Sequence, residues 1–505
     1  MRTIYTDMEN LLAQVIQYLN TNKLLSGFPS LYMLYDIDEK SSISFHSDQA
    51  PVRGIMNVYK ELLRIERQVN MEEDRHIFFT AAPVFITEPE LCGDCDGAVS
   101  CDLFDYHQCT VDGKDACLLH VRRLDIGFVY RDGMLKIRRF FTDAIQTYEP
   151  WFYMEKHPSE HAFEVFDSIG PVDADDYIAL KKAHNYLWDH LLALKEEEAG
   201  GLAGAADALK RVFRTSSLRD ERYPVVGITG LLCADVEKDS GFARCSQLAE
   251  VFRIVGEDSA MKLVRSLWQV QTDCRYRDGE WTISQIAAQP VMYLPLSDYV
   301  PGIRYDRWSM GPDDWDLVNS PMPGRKTQDL YEIENIMGAW AVHGRRGDLS
   351  GFAEKYMTHP ELKPVLAIMS QGKETPVREG IDAIRERFAG MDARFRNHRY
   401  SMHVPTTPVV EVSADGTHAV GTWYDHSATC LASGDETCFP YMVFVARYFH
   451  EFVKIDQKWY VKRFYWEPLI HLEEWKLDLT HTDGWAARTD DRNYPEPLEL
   501  FGSGM

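Results

Sequence analysis

The chain has 505 residues, 45% apolar, 26% charged and 12% aromatic, with 78 acidic against 54 basic side chains and a net charge of −24. That length suits about three domains, and the composition is that of a globular protein, not a disordered or collagen-like one. No apolar run approaches the roughly 18 residues of a membrane helix, and so acidic a surface repels phosphate backbones and anionic lipid; neither a nucleic acid nor a membrane is an expected partner.

The N-terminus, MRTIYTDMEN, shows no basic segment followed by an apolar core. A cytoplasmic location is therefore expected, with the ten cysteines as free thiols. A helical pattern carrying Glu9-Asn10 comes first, followed by Leu25-Ser26-Gly27-Phe28, Pro51-Val52-Arg53 and Pro83-Val84. Tyr32, Tyr35, Asp36 and His46 are candidates for lining a pocket, although a polar-edged strand and loop explains them more simply. Cys92, Cys95, Cys101 and Cys109 begin with a CxxC, but the second pair is too widely spread for the usual zinc arrangement. Buried thiols in a Gly/Asp-rich loop are the better reading, and no metal or other cofactor is expected. Cys109 and Cys117 straddle a hairpin turn, as do Cys430 and Cys438, and each pair is expected to face across two strands. The strand, turn and strand FVYRDGMLKIRRFF (128–141) closes this segment.

The same landmarks return near the C-terminus: Glu334-Asn335, Leu349-Ser350-Gly351-Phe352, Pro376-Val377-Arg378, Pro408-Val409 and the closing FVKIDQKWYVKRFYW (452–466). Between them lies a diverged third copy. Its helix Asp207–Phe213 resembles Asp382–Phe388, its Arg222-Tyr223 matches Arg399-Tyr400, and its hairpin is CRYRDGEWTISQIA (274–287). Repetition at this scale predicts three units, 1–157, 158–322 and 323–505, with linkers around 155–172 and 300–327 and a polar tail after about 480. In the last copy Ile333, Ile336, Met337, Trp340 and Ala341 lie on one helical face, and Val377, Ile381, Ile384 and Phe388 mark a second short helix. Strands follow at 400–412, 418–427, 440–455 and 458–467. Helices followed by a run of antiparallel strands predict an α+β fold, a curved sheet wrapped on helices around a conical cavity.

This plan resembles the nuclear transport factor 2-like superfamily, which includes SnoaL-like cyclases, ketosteroid isomerase, scytalone dehydratase and bile-acid 7α-dehydratase. The residues that carry the likeness are YEIENIMGAWAVHGRRGDLSGF (331–352), MHVPTTPVVEVSADGTHAVGTWYDHS (402–427) and VKIDQKWYVKRFYW (453–466). The resemblance implies three tandem cystatin-like, cone-shaped α+β barrels. It also implies acid–base catalysis by His403 with Asp425 or His426, since His403 stands where the dehydratases carry a strand histidine. Adjacent strand residues point to opposite faces, so only one of Asp425 and His426 can face the cavity. On the first helix Trp340 replaces the family tyrosine and Arg345 the family aspartate, and His343, between them, is a further catalytic candidate. Tyr424, Tyr448 and Tyr465 are the candidates to replace the missing phenol and, with Trp340, to contact substrate. Phe78 and Val226 stand at the positions equivalent to His403, so the third copy is the expected reaction centre.

Removing a proton beside a carbonyl while protonating a departing hydroxyl needs a base and an acid that both work near neutral pH, and histidine suits either role. The expected function is that of a cofactor-independent lyase (a dehydratase) or isomerase acting on a hydrophobic, oxygenated small molecule such as a steroid, polyketide or aromatic. The alternative is a non-catalytic binder or scaffold of three packed repeats. Tethering three copies on one chain raises their mutual concentration, so they are expected to pack as an intramolecular pseudo-trimer, leaving a monomer.

Overall fold

Each unit begins with a helix whose apolar stripe is covered by its own sheet. In the first, α1 (Ile4–Asn20) starts at Thr3, whose hydroxyl caps the Thr6 N–H, and buries Met8, Leu12 and Val15. A second helix, α2 (Ile55–Gln68), buries Ile55, Val58 and Leu62. The computed structural model describes residues 3–26, 29–45, 50–68, 75–147, 151–152, 166, 172–193, 219–220, 223–224, 226–255, 262–294, 297–298, 326–370, 373–374, 376–396, 398–431 and 441–474. His46, the segment Asp207–Phe213, Arg222, Cys438, most of both expected linkers and the tail after 480 lie outside the described residues.

Strands β1 (Ser42–Ser44), β2 (Arg75–Ile86), β3 (Gly97–Val111), β4 (Lys114–Arg131) and β5 (Met134–Thr147) form the first sheet in the order β1-β5-β4-β3-β2. Strand β1 runs parallel to β5, and the long strands are antiparallel. The second unit places α3 (Ala174–Ala193) against β6 (Val226–Thr229), β7 (Cys233–Glu237), β8 (Phe242–Val255), β9 (Lys262–Arg277) and β10 (Glu280–Tyr293). The third repeats the first: α4 (Lys326–Arg346), α5 (Leu349–Tyr356), β11 (Val365–Ser370), α6 (Ile381–Arg396), β12 (His398–Val412), β13 (His418–Leu431), β14 (Tyr441–Ile455) and β15 (Lys458–Glu474). Its order is β11-β15-β14-β13-β12, again with one parallel pair, β11 with β15. The architecture is thus α+β with three curved sheets. On α4 the face predicted from Ile333, Ile336, Met337, Trp340 and Ala341 is buried throughout.

Two-residue turns close four of the hairpins among the described residues, and they need left-handed backbone at both positions. Asp112-Gly113, Asp132-Gly133 and Asp278-Gly279 supply it, with φ between 50° and 91°, and Asp456-Gln457 does so without a glycine. The outer strand of each sheet breaks at the same place. Register shifts fall between Ala81 and Val84 and between Thr406 and Val409, and the gap between β6 and β7 matches them. Pro83 and Pro408 sit at two of these breaks, where a residue lacking an N–H costs no ladder bond.

The units grip one another in a cycle. Asn10 of α1 exchanges two hydrogen bonds with the backbone of Ala234 in β7, at 3.0 and 2.9 Å. Asn335 of α4 does the same to Phe85 in β2, at 2.9 and 2.8 Å. Asn185 of α3 donates to the Pro408 carbonyl at 2.8 Å, so the second unit grips the third. Each amide satisfies the outward backbone groups of an edge strand and blocks further pairing there. Asn335→Ala leaves both Phe85 groups without that partner. The expected cost is about 1–3 kcal/mol, read as a lower denaturant midpoint at unchanged far-UV signal; an unchanged midpoint would show that the clasp contributes nothing.

Between the helices Lys181 lies 2.8 Å from Glu9 and 2.7 Å from Glu334, and Tyr331 donates to Glu9 at 2.8 Å. Where the sheets' outer faces meet, Tyr106 from the first unit donates to Glu250 of the second at 2.9 Å. Arg265 lies 2.9 Å from Glu250, and His426 of the third unit 3.1 Å. Burial acts to raise the Glu250 carboxyl, but His426, Arg265 and Tyr106 together hold it down at about 2.

Candidate functional site

Strand alternation builds the site on the concave face of the third sheet. His403 pairs with Ser427 across β12 and β13, and Pro405 pairs with Asp425, so the histidine and the carboxylate stand diagonally on one face. His403 Nδ1 lies 2.9 Å from Asp425 Oδ2 and 2.9 Å from Ser427 Oγ, and Ser427 donates to the same carboxylate oxygen at 2.5 Å. Tyr448 of β14 donates to Asp425 Oδ2 at 2.9 Å and accepts from Trp340 Nε1–H at 2.8 Å. Its hydroxyl is also 3.4 Å from His403 Nδ1. Phe464 closes the cone against Trp340 with ring centres 4.5 Å apart. His403 is 6% exposed, and Asp425 and Tyr448 are fully buried. Burial beside Asp425 raises the Tyr448 phenol well above its ordinary value, so it is a donor near neutral pH.

Of the residues singled out from the sequence, the structure brings together His403, Asp425, Tyr448 and Trp340. His426 points the other way, wedged between Phe104 and Phe252 at ring distances of 4.6 and 5.5 Å in the contact between units. Tyr424 shares that outer face, with Arg447 over its ring, and Tyr465 pairs with Phe449 on it as well. His343 lies one turn beyond Trp340, but its Nδ1 is 3.0 Å from Asp348, the cap of α5, and not at the dyad. The His403 ring instead packs against Gly344, where an added Cβ would lie 3.4 Å from it. The Arg345 side chain lies outside the described residues.

Two further residues belong to this face. Ser427 holds the dyad, as above. His450 pairs with Phe464 across β14 and β15, its ring centres 4.2 Å from Phe464 and 5.3 Å from Tyr448. Burial lowers its imidazole to about 3, so it is neutral. Its Nδ1 accepts the Tyr465 N–H at 3.3 Å, while Nε2 has no hydrogen-bond partner among the described residues. Asp425 Oδ1 likewise has none among them. The sequence signal was the alternation itself: Ser427 is two residues from Asp425, and His450 two from Tyr448.

The first unit carries a similar diagonal pair. Phe78 stands at the His403 position, but two residues earlier His76 Nδ1 lies 2.7 Å from Asp105 Oδ1. His107 stacks on His76 at 4.0 Å and its Nδ1 is 3.1 Å from His120 Nε2. Burial acts to raise Asp105, but His76, His120 and Arg122 hold it below the ordinary carboxylate range, and burial lowers His120 to about 4. This pair sits nearer the open end, with the His76 side chain 25% exposed.

Cys92, Cys95, Cys101 and Cys109 do not come together as a four-thiolate metal site would require. Cys101 and Cys109 are eight residues apart on β3, roughly 26 Å at about 3.3 Å per residue. Cys92 and Cys95 are buried, and burial pushes their thiols up to about 11 and about 12. Nor do Cys109 and Cys117 face each other. Cys109 pairs with Ala116 and Cys117 with Gln108, which puts the two thiols on opposite faces.

Residues 326–465, which include His403, Asp425 and Tyr448, match the family model of the SnoaL-like domain. A search of curated proteins finds no match to the chain. Among solved structures, a candidate scytalone dehydratase from Novosphingobium aromaticivorans is 15% identical over 31% of this chain and 95% of its own, with a TM-score of 0.25. A candidate dehydratase of the NTF2-like family from Streptomyces avermitilis is 18% identical over 28% and 97%, with a TM-score of 0.24. A type 2 hexachlorocyclohexane dehydrochlorinase, LinA, is 10% identical over 30% and 93%, with a TM-score of 0.25. No helix among the described residues is long and apolar enough to cross a membrane.

Proposed function

We propose that the third unit catalyses proton transfer without a cofactor, as a dehydratase or isomerase, on an apolar small molecule that carries a carbonyl and a hydroxyl group. The observation that carries this reading is the buried His403–Asp425 pair at 2.9 Å, beside Tyr448 and inside an aromatic cone. Donation of Nδ1–H to Asp425 leaves Nε2 as the basic nitrogen, and the carboxylate stabilises the imidazolium that forms on proton abstraction. The neutral Nε2–H of His450 is a donor for a substrate carbonyl, where negative charge develops. Asp425 Oδ1 accepts from the substrate hydroxyl and orients it; in a dehydration the His403 imidazolium returns the abstracted proton from Nε2 to that oxygen, which leaves as water as the C=C bond forms. The aromatic walls exclude water, and that strengthens each of these interactions.

The test is a panel of β-hydroxy ketones and β,γ-unsaturated ketones, with products followed by mass spectrometry and solvent-deuterium incorporation. At least one compound is expected to lose water or exchange the α-proton faster with wild-type protein than with His403→Gln. Equal rates in both proteins across the panel would sink the assignment. A second reading, a non-catalytic binder, draws on the closure of the network, since Tyr448 is spent on Trp340 and Asp425. It expects His403→Gln to alter stability and ligand affinity but no rate.

We also propose that the whole chain is a monomer. The cyclic clasp already covers three edge strands from within, so light scattering should give the mass of a single chain; a stable assembly of several chains would refute this.

A further inference from the structure

In the second unit three side chains that the proposed reaction does not use converge on one point. His184 comes from α3, Cys245 from β8 and Cys274 from β9, and one ligand atom of each lies within 4.8 Å of the other two. All three are buried, at 2%, 1% and 1% exposure. The ladder explains the thiols. Cys245 pairs with Thr272 and Ala243 with Cys274, so the cysteines sit diagonally on one face, beneath the helix. The helix explains the imidazole. His184 Nδ1 lies 2.6 Å from the Leu180 carbonyl one turn back, which fixes that nitrogen as the donor. Nε2 then carries the lone pair, and Thr272 Oγ1 stands 2.5 Å from it.

We propose that His184, Cys245 and Cys274 bind one soft divalent cation of the zinc type, with the fourth position beside the Thr272 hydroxyl. Two thiolates and an imidazole select zinc-like ions over magnesium or calcium, which take oxygen ligands. Bonds of about 2.3 Å to sulfur and about 2.0–2.1 Å to nitrogen set tetrahedral ligand atoms roughly 3.4–3.8 Å apart, so a spacing within 4.8 Å closes with a shift of about 1.4 Å or less. A backbone carbonyl on the second ring nitrogen is the usual outer support of a metal-bound histidine. The ion would join α3 to two strands of its sheet. The unit has Val226 where the third has His403, so the ion's role is to hold the helix in place. The ligands are far apart in the chain and show no spacing signature, and for that reason a sequence reading attends to Cys92–Cys109 instead.

The test uses the untagged, reduced, full-length chain, stripped with chelator and titrated with cobalt(II). A single equivalent is expected to bind with tetrahedral visible bands and thiolate-to-metal charge transfer, and zinc should displace it. Cys245→Ser and Cys274→Ser should each weaken binding by more than about 100-fold, the upper range for loss of an outer-shell partner. The double variant Cys92→Ser/Cys95→Ser should bind as wild type. Should a ligand variant fail to fold, X-ray absorption on zinc-loaded wild type decides, with two sulfurs and at least one imidazole nitrogen expected around the ion. No tetrahedral cobalt spectrum, a zinc shell without two sulfurs, or binding lost in the Cys92/Cys95 variant overturns the proposal.

Discussion

Asp425→Asn is expected to lower turnover on the substrate found by the ketone panel by about 10²–10⁴-fold, the range for a positioned acid–base group. Asp425 accepts hydrogen bonds from His403 Nδ1–H, from Tyr448 and from Ser427, all on the single oxygen Oδ2. An amide presents either an acceptor or a donor there. As a donor it turns His403 into the other tautomer, with the proton on the nitrogen that should act as base; as an acceptor it cannot stabilise the imidazolium. The loss should therefore fall on kcat rather than KM. The side chain is isosteric, and the stability cost should stay at about 1–3 kcal/mol for disturbing one buried hydrogen-bonding group. Tyr448→Phe is a useful companion, because it removes the bonds to Trp340 and Asp425 but leaves the His403–Asp425 pair. A full-rate Asp425→Asn enzyme would show that the dyad only braces the sheet.

Lys181→Met should destabilise the protein by about 3–5 kcal/mol at pH 8, the usual cost of removing one partner from a buried ion cluster. Lys181 stands between Glu9 and Glu334, 2.8 and 2.7 Å away, and without it two buried carboxylates face each other. The cost should depend on pH, with a sign set by Glu334. Burial raises that carboxyl to about 7 against the pull of Lys181. The folded state therefore holds this proton more tightly than the unfolded state does. Its contribution to stability is present below pH about 4.5 and is lost as pH rises toward 7. Removing Lys181 removes the group that pulls this value down, so the variant should recover part of its deficit at pH 5, where Glu334 takes up its proton. Denaturant melts of both proteins at the two pH values test this. An equal deficit at both, or one below about 1 kcal/mol at pH 8, would mean that the cluster does not couple the helices.

Much of the third unit was legible because the signals are local. The stripe Ile333 to Ala341 has helical period, and the Asp-Gly pairs mark hairpins by backbone preference alone. The likeness at 402–427 led to His403 and Asp425, and they do meet at 2.9 Å. Choosing among neighbours did not work by the same means. Tyr424 and Tyr465 are as aromatic as Tyr448, and His426 is as ionisable as His403, yet these three candidates lie on the outer face. Matching positions from Pro83-Val84 led to Phe78 and passed over His76, two residues away and paired with Asp105.

By itself the sequence determined the three-fold repetition of landmarks, the helices and hairpins, and the rule that Asp425 and His426 cannot share a face. Those properties follow from side-chain period and turn chemistry, which act within a few residues. Only the tertiary structure decided which of the two faces is concave, because that depends on which way a sheet curls around its helix. It also decided that Asn10, Asn185 and Asn335 grip the next unit, that Lys181 offsets Glu9 and Glu334, and that His184 meets Cys245 and Cys274. These contacts join residues distant in the chain, and no local pattern records a partner that packing alone supplies.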